Sequence, residues 1–197
     1  MTTGRSARSN RTKSVWQTDP QAVSDEELVR TCVAGDRAAF DVLVARHQRQ
    51  VYRLCYRFVG NHEDASELAQ DAFVRAYRAL RKFEETAKFT TWLHRISVNV
   101  CLNRLALKTP KHAPLKNDDA TPAPGESADA AVLREERAAK VRAAITRLPA
   151  KQRATLILRA YHEMPHDEIA KILGNSVGAV KANFFHALAN LKKLLDE

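Results

Sequence analysis

The sequence predicts an all-α protein made of two small helical domains joined by a flexible linker. Apolar residues recur with helical spacing along both halves, and no stretch alternates with a period of two for long enough to form a strand. Between the halves, residues 110–124 are rich in proline and almost without large apolar side chains. A segment of this composition cannot bury a core, so we interpret it as a linker.

These composition changes divide the chain into four parts. We expect a disordered basic arm at residues 1–23 and a first helical domain at 24–108. The linker then covers 109–128, and a second helical domain covers 129–197.

The first domain is expected to contain long helices. One extends from 37 to 59 and is closed by Gly60, a second begins at HEDASELAQDAF after the N-cap Asn61, and a third covers TTWLHRISVNVCLNRLAL. In the second domain we predict helices at about 129–147, 150–161, 165–173 and 176–195. The break at Pro149 separates the first two, and Pro165 suits the first turn of the third.

The net charge indicates which class of partner the protein binds, and the cysteine content indicates its cellular compartment. The formal net charge of +9 favours a polyanionic partner, either nucleic acid or an anionic membrane surface, although an ordinary soluble protein can also be basic. Cys32, Cys55 and Cys101 are far apart and form no CxxC pair, which indicates buried free thiols in a reducing cytoplasm and no metal site. No apolar run approaches the roughly 20 residues that span a bilayer, and no secretory signal is recognisable.

The segment EIAKILGNSVGAVKANF, residues 168–184, has the pattern of a helix-turn-helix. Ala170 is a small residue where the two helices cross, Gly174 suits a turn with positive φ, and Val180 is an aliphatic residue that packs the second helix onto the first. Ser176 is expected to cap the second helix. The alternative is an ordinary helical hairpin with a glycine turn.

In a DNA-reading motif, the N-terminal part of the second helix enters the major groove. Lys181 is a natural contact for phosphate or guanine. Gly178 costs roughly 1 kcal/mol of helix stability relative to alanine, which a closer approach of the backbone to DNA would offset. The candidate contacts are Asn175, Ser176, Val177, Gly178, Lys181, Ala182, Asn183 and His186.

The first domain carries a basic and aromatic segment preceded by an acidic helical face. Basic residues from Arg75 to Arg95 alternate with Tyr77, Phe83, Phe89 and Trp92. Such a segment can track phosphates and stack on unpaired bases; the alternative is that the rings belong to the core and the arginines to a solvated face. The acidic face, formed by Glu63, Asp64, Glu67 and Asp71, would suit a basic protein partner.

The order of these motifs closely resembles that of bacterial sigma factors of the sigma-70 family, specifically the extracytoplasmic-function (ECF) type. DASELAQDAFVRAYRAL and KFTTWLHRISVN lie before the linker, and LPAKQRATLILRAYHEMPHDEIAKILGNSVGAVKANF lies after it. The similarity extends from about Asp25 to the C-terminus. It implies two helical domains, corresponding to sigma regions 2 and 4.

The resemblance also implies partners and site residues. The acidic helix would dock on the β′ coiled coil of the RNA polymerase core, and the C-terminal domain would bind the β flap and read the −35 element of promoter DNA. The implied core-binding residues are Asp64, Leu68, Gln70, Asp71 and Phe73. The implied −10 contacts are Phe83, Lys88, Trp92, Arg95, Asn99 and Asn103, with the loop near 83–88 holding a flipped base.

The resemblance implies regulation too. The linker would thread the active-site and RNA-exit channels, where Asp118 and Asp119 would mimic nucleic acid. An anti-sigma factor, often membrane-bound, would hold the protein inactive. We expect a cytoplasmic protein with no cofactor, no small-molecule substrate and no direct membrane insertion.

The recognition helix departs from the family pattern. Where the family commonly has Gly-Thr-Val-Lys-Ser-Arg followed by another basic residue, this chain has GAVKAN at residues 178–183 and then His186. Because two usual arginines are replaced by Asn183 and His186, we expect fewer phosphate contacts and an unusual −35 sequence.

Other classes of function give different expectations. A stand-alone helix-turn-helix regulator would bind operator DNA without polymerase and would not need the acidic helix. If the protein were a helical adaptor with no DNA role, its basic charge and its turn motif would be coincidences. An enzyme is disfavoured, since the HExxH-like run His162-Glu163-Met164-Pro165-His166 contains a proline that prevents both imidazoles from sharing one helix.

Overall fold

A computed structural model describes residues 23–84, 86–107 and 128–197. The helices of the N-terminal domain are α1 (Asp25–Val33), α2 (Ala38–Val59), α3 (His62–Ala79) and α4 (Phe89–Leu107), with a short 3₁₀ turn at Leu80–Lys82. Those of the C-terminal domain are α5 (Ala128–Arg147), α6 (Ala150–Tyr161), α7 (His166–Leu173) and α8 (Val177–Leu195). The described ranges contain no strand, and the predicted all-α class is confirmed.

Local sequence signals define the ends of the N-terminal helices. The Ser24 hydroxyl accepts from the Glu27 amide at 3.2 Å, and the Asn61 side chain accepts from the Asp64 amide at 2.8 Å, so both residues act as N-caps. Gly60 ends α2 in the left-handed conformation, with φ of 78°. The predicted cap at Asn61 and stop at Gly60 are thereby confirmed.

The core of the N-terminal domain combines apolar side chains from all its helices. Leu28, Leu43, Phe58 and Phe89 are fully buried. At the edge of this core the Asp25 carboxylate accepts hydrogen bonds from Arg46 and His47, each at 2.7 Å. Burial alone would raise the pKa of Asp25, but these two partners outweigh burial and lower it. The network fixes the start of α1 against α2.

Two proline-containing breaks separate the first helices of the C-terminal domain. Pro149 lies immediately before α6, as predicted. Pro165 occupies the N-cap position of α7, one residue before the first turn in which we expected it. Buried Ile157, Leu158 and Ile169 form the centre of this domain. None of the described helices combines the length and the apolarity that crossing a bilayer requires.

The two domains contact each other directly. The Arg153 guanidinium of α6 donates to the Phe58 carbonyl at the end of α2, at 2.7 Å. The rings of His94 in α4 and His162, which ends α6, lie 4.9 Å apart, edge to face. These contacts bring the C-terminal end of α2 and one face of α4 against α6.

Several predicted segments fall outside the described residues. They are nearly all of the arm and the part of the linker at 109–127, which contains Asp118 and Asp119. The roles predicted for these segments and for the two aspartates stay predictions. At the margins, Val23 is 6% exposed and packs with the N-terminal core, and Ala128 is already the first residue of α5.

Candidate nucleic-acid interface

Helices α7 and α8 form a tight helix-turn-helix. Gly174 ends α7 with φ of 62°, and the amide of Asn175 donates to the Ala170 carbonyl at 3.0 Å. The Ser176 hydroxyl then accepts from the Ala179 amide at 3.2 Å and caps α8. The turn and the cap predicted from the sequence are confirmed.

Small and aliphatic side chains pack the two helices together. Ala170 is 7% exposed and Val180 is fully buried, while Leu173 and Phe184 are partly buried against the same core. Ala170 permits a close crossing because a larger side chain there would separate the helices. The positions expected from the motif therefore have the required burial.

The N-terminal face of α8 is open to solvent. The exposed candidates on it are Ser176, Val177, Gly178, Lys181, Ala182 and His186. Asn175 and Asn183 are only partly exposed, which places them at the border of this surface. Two large apolar side chains that we did not predict, Phe185 and Leu188, are 69% and 46% exposed. The neighbouring pair Phe184 and Phe185 was the available signal, since adjacent helical residues cannot both face the core.

Alanine substitutions at the two glycines of this motif are expected to change the free energy of unfolding in opposite directions. At Gly174 an added Cβ meets nothing within 4 Å, so Gly174→Ala should cost about 1 kcal/mol of unfolding free energy through the left-handed backbone alone. Gly178 lies inside α8, where an added Cβ would make only an ordinary contact at 4.0 Å with the Ser176 hydroxyl oxygen, so Gly178→Ala should stabilise by up to about 1 kcal/mol.

Urea unfolding of the two variants and the wild-type protein measures both effects. We further expect Gly178→Ala to weaken binding of duplex promoter DNA, because Gly178 is exposed where the helix would approach the groove. Equal signs of the two stability changes would contradict this interpretation of the turn.

A row of polar side chains marks the outer face of α4. Arg95, Asn99 and Asn103 are all exposed and are spaced by four residues, so they form one stripe along the helix. Lys88 is exposed immediately before α4, where its carbonyl accepts from the Trp92 amide at 3.2 Å. The structure therefore brings these four candidates to one side of the domain.

Phe83 and Trp92 have a different environment from that stripe. Both are partly buried, with ring centroids 5.3 Å apart, and both contact the fully buried Phe89. The Glu26 carboxylate accepts from the Phe89 amide at 3.3 Å, which fixes the start of α4. Phe83 and Trp92 thus pack over the core beside Lys88, and both residues stay partly exposed to solvent.

The acidic face of α3 is partly neutralised by neighbouring arginines. The Arg104 side chain of α4 contacts Asp64 at 3.1 Å and also pairs with Glu67. Asp71 pairs with Arg75 at 2.9 Å on the same helix. Hydrogen bonding to Glu67 raises the pKa of Arg104, so this bridge between α3 and α4 remains charged.

Two candidates for core binding lie inside the domain. Leu68 is 3% and Phe73 9% exposed, because both belong to the apolar stripe that packs α3 against its neighbours. Both side chains therefore belong to the apolar core of the free domain, and their expected contact with a partner stays a prediction. Gln70 is exposed, and so are Val74 (46%) and Tyr77 (40%), which the sequence analysis did not assign.

The histidines around Pro165 do not share a helix. His162 is the C-cap of α6 and His166 the first residue of α7. Within the described ranges, no three His, Cys, Asp or Glu side chains are arranged to hold a metal ion. The three cysteines are buried free thiols, as predicted.

Comparison with known families finds two matching models. Sigma-70 region 2 matches residues 43–109, and sigma-70 region 4 matches residues 138–191. The first match contains most of α2, all of α3 and α4; the second contains all of α6 and α7 and most of α8.

Curated relatives match over nearly their whole length. The chain is 35% identical to the RNA polymerase sigma-H factor of Pseudomonas aeruginosa, covering 87% of this chain and 93% of that protein. It is 39% identical to the ECF RNA polymerase sigma factor SigM of Mycobacterium tuberculosis, covering 87% and 85%. With SigW of Bacillus subtilis the identity is 33%, covering 86% and 96%.

Two solved structures have the same fold. CnrH, solved in complex with the cytosolic domain of CnrY, superposes with a TM-score of 0.64 at 29% identity, covering 87% of this chain and 97% of that one. The sigma factor RpoE of Bartonella quintana, in complex with the anti-sigma factor NepR, gives a TM-score of 0.63 at 20% identity, covering 80% and 96%.

Proposed function

Because the chain belongs to the sigma-70 family, as an RNA polymerase sigma factor of the ECF type that directs promoter-specific transcription initiation, we propose which of its surfaces binds each partner in that process. The observation that carries this proposal is the paired arrangement of two exposed polar surfaces on two domains. One is the start of α8 in the helix-turn-helix, and the other is the stripe on α4.

The start of α8 reads the −35 duplex. Lys181 is the exposed cation on this face, and Ser176, Val177, Gly178, Ala182 and His186 surround it. Gly178 and Ala182 are small residues next to Lys181, so the backbone at these positions can approach the bases closely. With Asn183 and His186 where relatives commonly carry arginine, affinity depends more on shape and close contact than on phosphate neutralisation.

The outer face of α4 holds the unpaired −10 strand. Arg95 and Lys88 neutralise its phosphates, and Asn99 and Asn103 offer both donors and acceptors to base edges. The partly accessible rings of Phe83 and Trp92 are suited to stack with an extruded base.

The exposed face of α3 docks on the polymerase core. Gln70, Asp71 and Val74 are its central surface residues, and Tyr77 lies at its border. A surface that combines a carboxylate with the exposed apolar side chain of Val74 and with Tyr77 fits a basic protein helix such as the β′ coiled coil. The C-terminal domain contacts the β flap, polymerisation chemistry belongs to the polymerase, and the protein acts in the cytoplasm.

Control by an anti-sigma factor is part of the proposal. It follows from the ECF type of the relatives and from the 29% identity with CnrH, which was solved bound to another protein domain. Such a partner would compete with the polymerase for this chain.

Run-off transcription tests the assignment of the α3 surface. Purified protein is added to bacterial core polymerase with a genomic promoter library, together with a Gln70→Arg/Asp71→Arg variant. We expect new transcription starts with wild type and a loss of at least about tenfold in the variant, because it introduces like charges at the interface. Asp64 is left unchanged, since its carboxylate accepts a hydrogen bond from the Asn61 cap and pairs with Arg104.

A matched control separates docking from general charge effects. Gln48→Arg/Asp41→Arg makes the same two substitutions at exposed sites on α2. Transcription by this variant should stay within about twofold of wild type, as expected for surface charges outside an interface. If no starts appear with active core polymerase, while the protein alone shifts specific duplex DNA, the stand-alone regulator becomes the better assignment.

A further inference from the structure

A cavity of about 610 Å³ lies at the junction of the two domains. The C-terminal part of α2 forms one wall, a face of α5 forms the opposite wall, and Tyr161 at the end of α6 closes one side. The volume falls within the range of roughly 300–1,000 Å³ that small-molecule sites occupy, and domain junctions are a common place for them.

The walls of this cavity are strongly basic. Arg53, Arg57, Arg137 and Arg142 line it, and no aspartate or glutamate does. Arg142 pairs with Glu135 at 2.5 Å. Across residues 23–84, 86–107 and 128–197, no carboxylate pairs with the other three arginines. Several guanidinium groups lining one partly open cavity favour an anion with more than one charged group.

Aromatic rings lie beside these guanidinium groups. The rings of Tyr52 and Tyr56 stack with centroids 6.3 Å apart, and the Arg57 guanidinium lies 4.2 Å from the centroid of the Tyr161 ring. Burial lowers the pKa of Arg57, but a guanidinium remains charged at neutral pH. Flat rings and guanidinium planes together form the surface on which a planar base stacks.

From the basic walls, the tyrosine rings and the volume of the cavity, we propose that it binds a free nucleoside polyphosphate. Arg53, Arg57 and Arg137 contact the phosphates, and the base stacks against the exposed side chain of Tyr161. The site is distinct from the α4 and α8 surfaces, so the inference goes beyond the proposed promoter recognition. Since its two main walls come from different domains, the bound nucleotide would hold the domains together.

Calorimetric titration of the full chain with ATP, GTP and inorganic triphosphate tests the proposal without polymerase or promoter DNA. We expect ATP or GTP to bind more tightly than triphosphate. Arg57→Gln/Arg137→Gln should weaken nucleotide binding by about tenfold or more. The control Arg49→Gln/Lys140→Gln removes the same charge from exposed sites on the same two helices and should change binding by less than about twofold.

A second variant tests the stacking surface. Tyr161→Leu should weaken nucleotide binding and leave triphosphate binding unchanged; it also serves if the double arginine variant fails to fold, as judged by circular dichroism. The proposal is overturned if neither nucleotide binds wild type, if the control loses as much affinity as the cavity variant, or if triphosphate binds as tightly as the nucleotides. Displacement of bound nucleotide by a short single-stranded oligonucleotide, with the same dependence on Arg57 and Arg137, would assign the cavity to a nucleic-acid strand instead.

Discussion

Acidification from about pH 7 to about pH 5 is expected to lower the free energy of unfolding by about 4 kcal/mol through two histidines alone. His94 and His162 meet edge to face at the domain junction. Burial is the main reason that the pKa of His94 falls to about 3 and that of His162 to about 4, from a usual value of 6.5. His94 Nδ1 and His162 Nε2 are both buried and have no hydrogen-bond partner within the described structure.

The sign follows from which state binds the proton. Because both pKa values are lowered in the folded protein, the unfolded chain takes up protons first as the pH falls below 6.5. Each imidazole therefore contributes stability above about pH 6.5 and loses about 2 kcal/mol of it by about pH 5. Neighbouring positive charge adds to the effect, since Arg57 further lowers the pKa of His162.

Urea unfolding at the two pH values measures this dependence. The His94→Phe/His162→Phe variant removes both titrating groups and should lose most of the acid sensitivity. His186→Phe, at an exposed site on α8, should keep the wild-type difference between the two pH values. An unchanged acid sensitivity in the double variant would show that other groups control the stability.

Replacement of Arg153 by methionine is expected to lower the free energy of unfolding by about 3 kcal/mol. Three main-chain carbonyls would lose their donor, and each loss costs about 1 kcal/mol. Arg153 is 7% exposed, and its guanidinium donates to the carbonyls of Phe58 at 2.7 Å, Leu148 at 3.0 Å and Thr146. Burial lowers the pKa of Arg153 to about 10, so the group is still protonated at neutral pH. It joins the corner between α5 and α6 to the end of α2.

Two measurements distinguish the effect of Arg153 on stability from its effect on the contact between the domains. Urea unfolding should show the loss for Arg153→Met and less than about 1 kcal/mol for Arg147→Met, whose guanidinium forms an exposed pair with Glu197. Small-angle scattering should show a larger radius of gyration for Arg153→Met under folding conditions. A variant as stable and as compact as wild type would contradict the assigned role.

The sequence was most informative where one residue type satisfies one local requirement. Gly174 in a left-handed turn, Ser176 as a cap and Val180 in the helix contact depend on neighbours only a few residues away, so they could be predicted. The same holds for Asn61 before α3 and Gly60 after α2.

Contacts between distant segments could not be predicted in this way. Arg153 looks like any other basic residue of an amphipathic helix, and its acceptor at Phe58 lies 95 positions earlier in the chain. Leu68 and Phe73 were assigned to a partner surface from the family pattern, although their helical spacing already placed them on the buried stripe of α3. Their burial follows from the local pattern, while their role toward a partner stays a prediction.

The bond from Arg153 to a main-chain carbonyl also has an evolutionary consequence. Every residue type supplies a carbonyl at position 58, so a substitution of Phe58 that still fills the core leaves the acceptor in place. Position 153 is then constrained to arginine while position 58 varies independently of it. Covariation between the two positions would be absent among homologues, and methods that infer contacts from correlated substitutions would miss this hydrogen bond between the two domains.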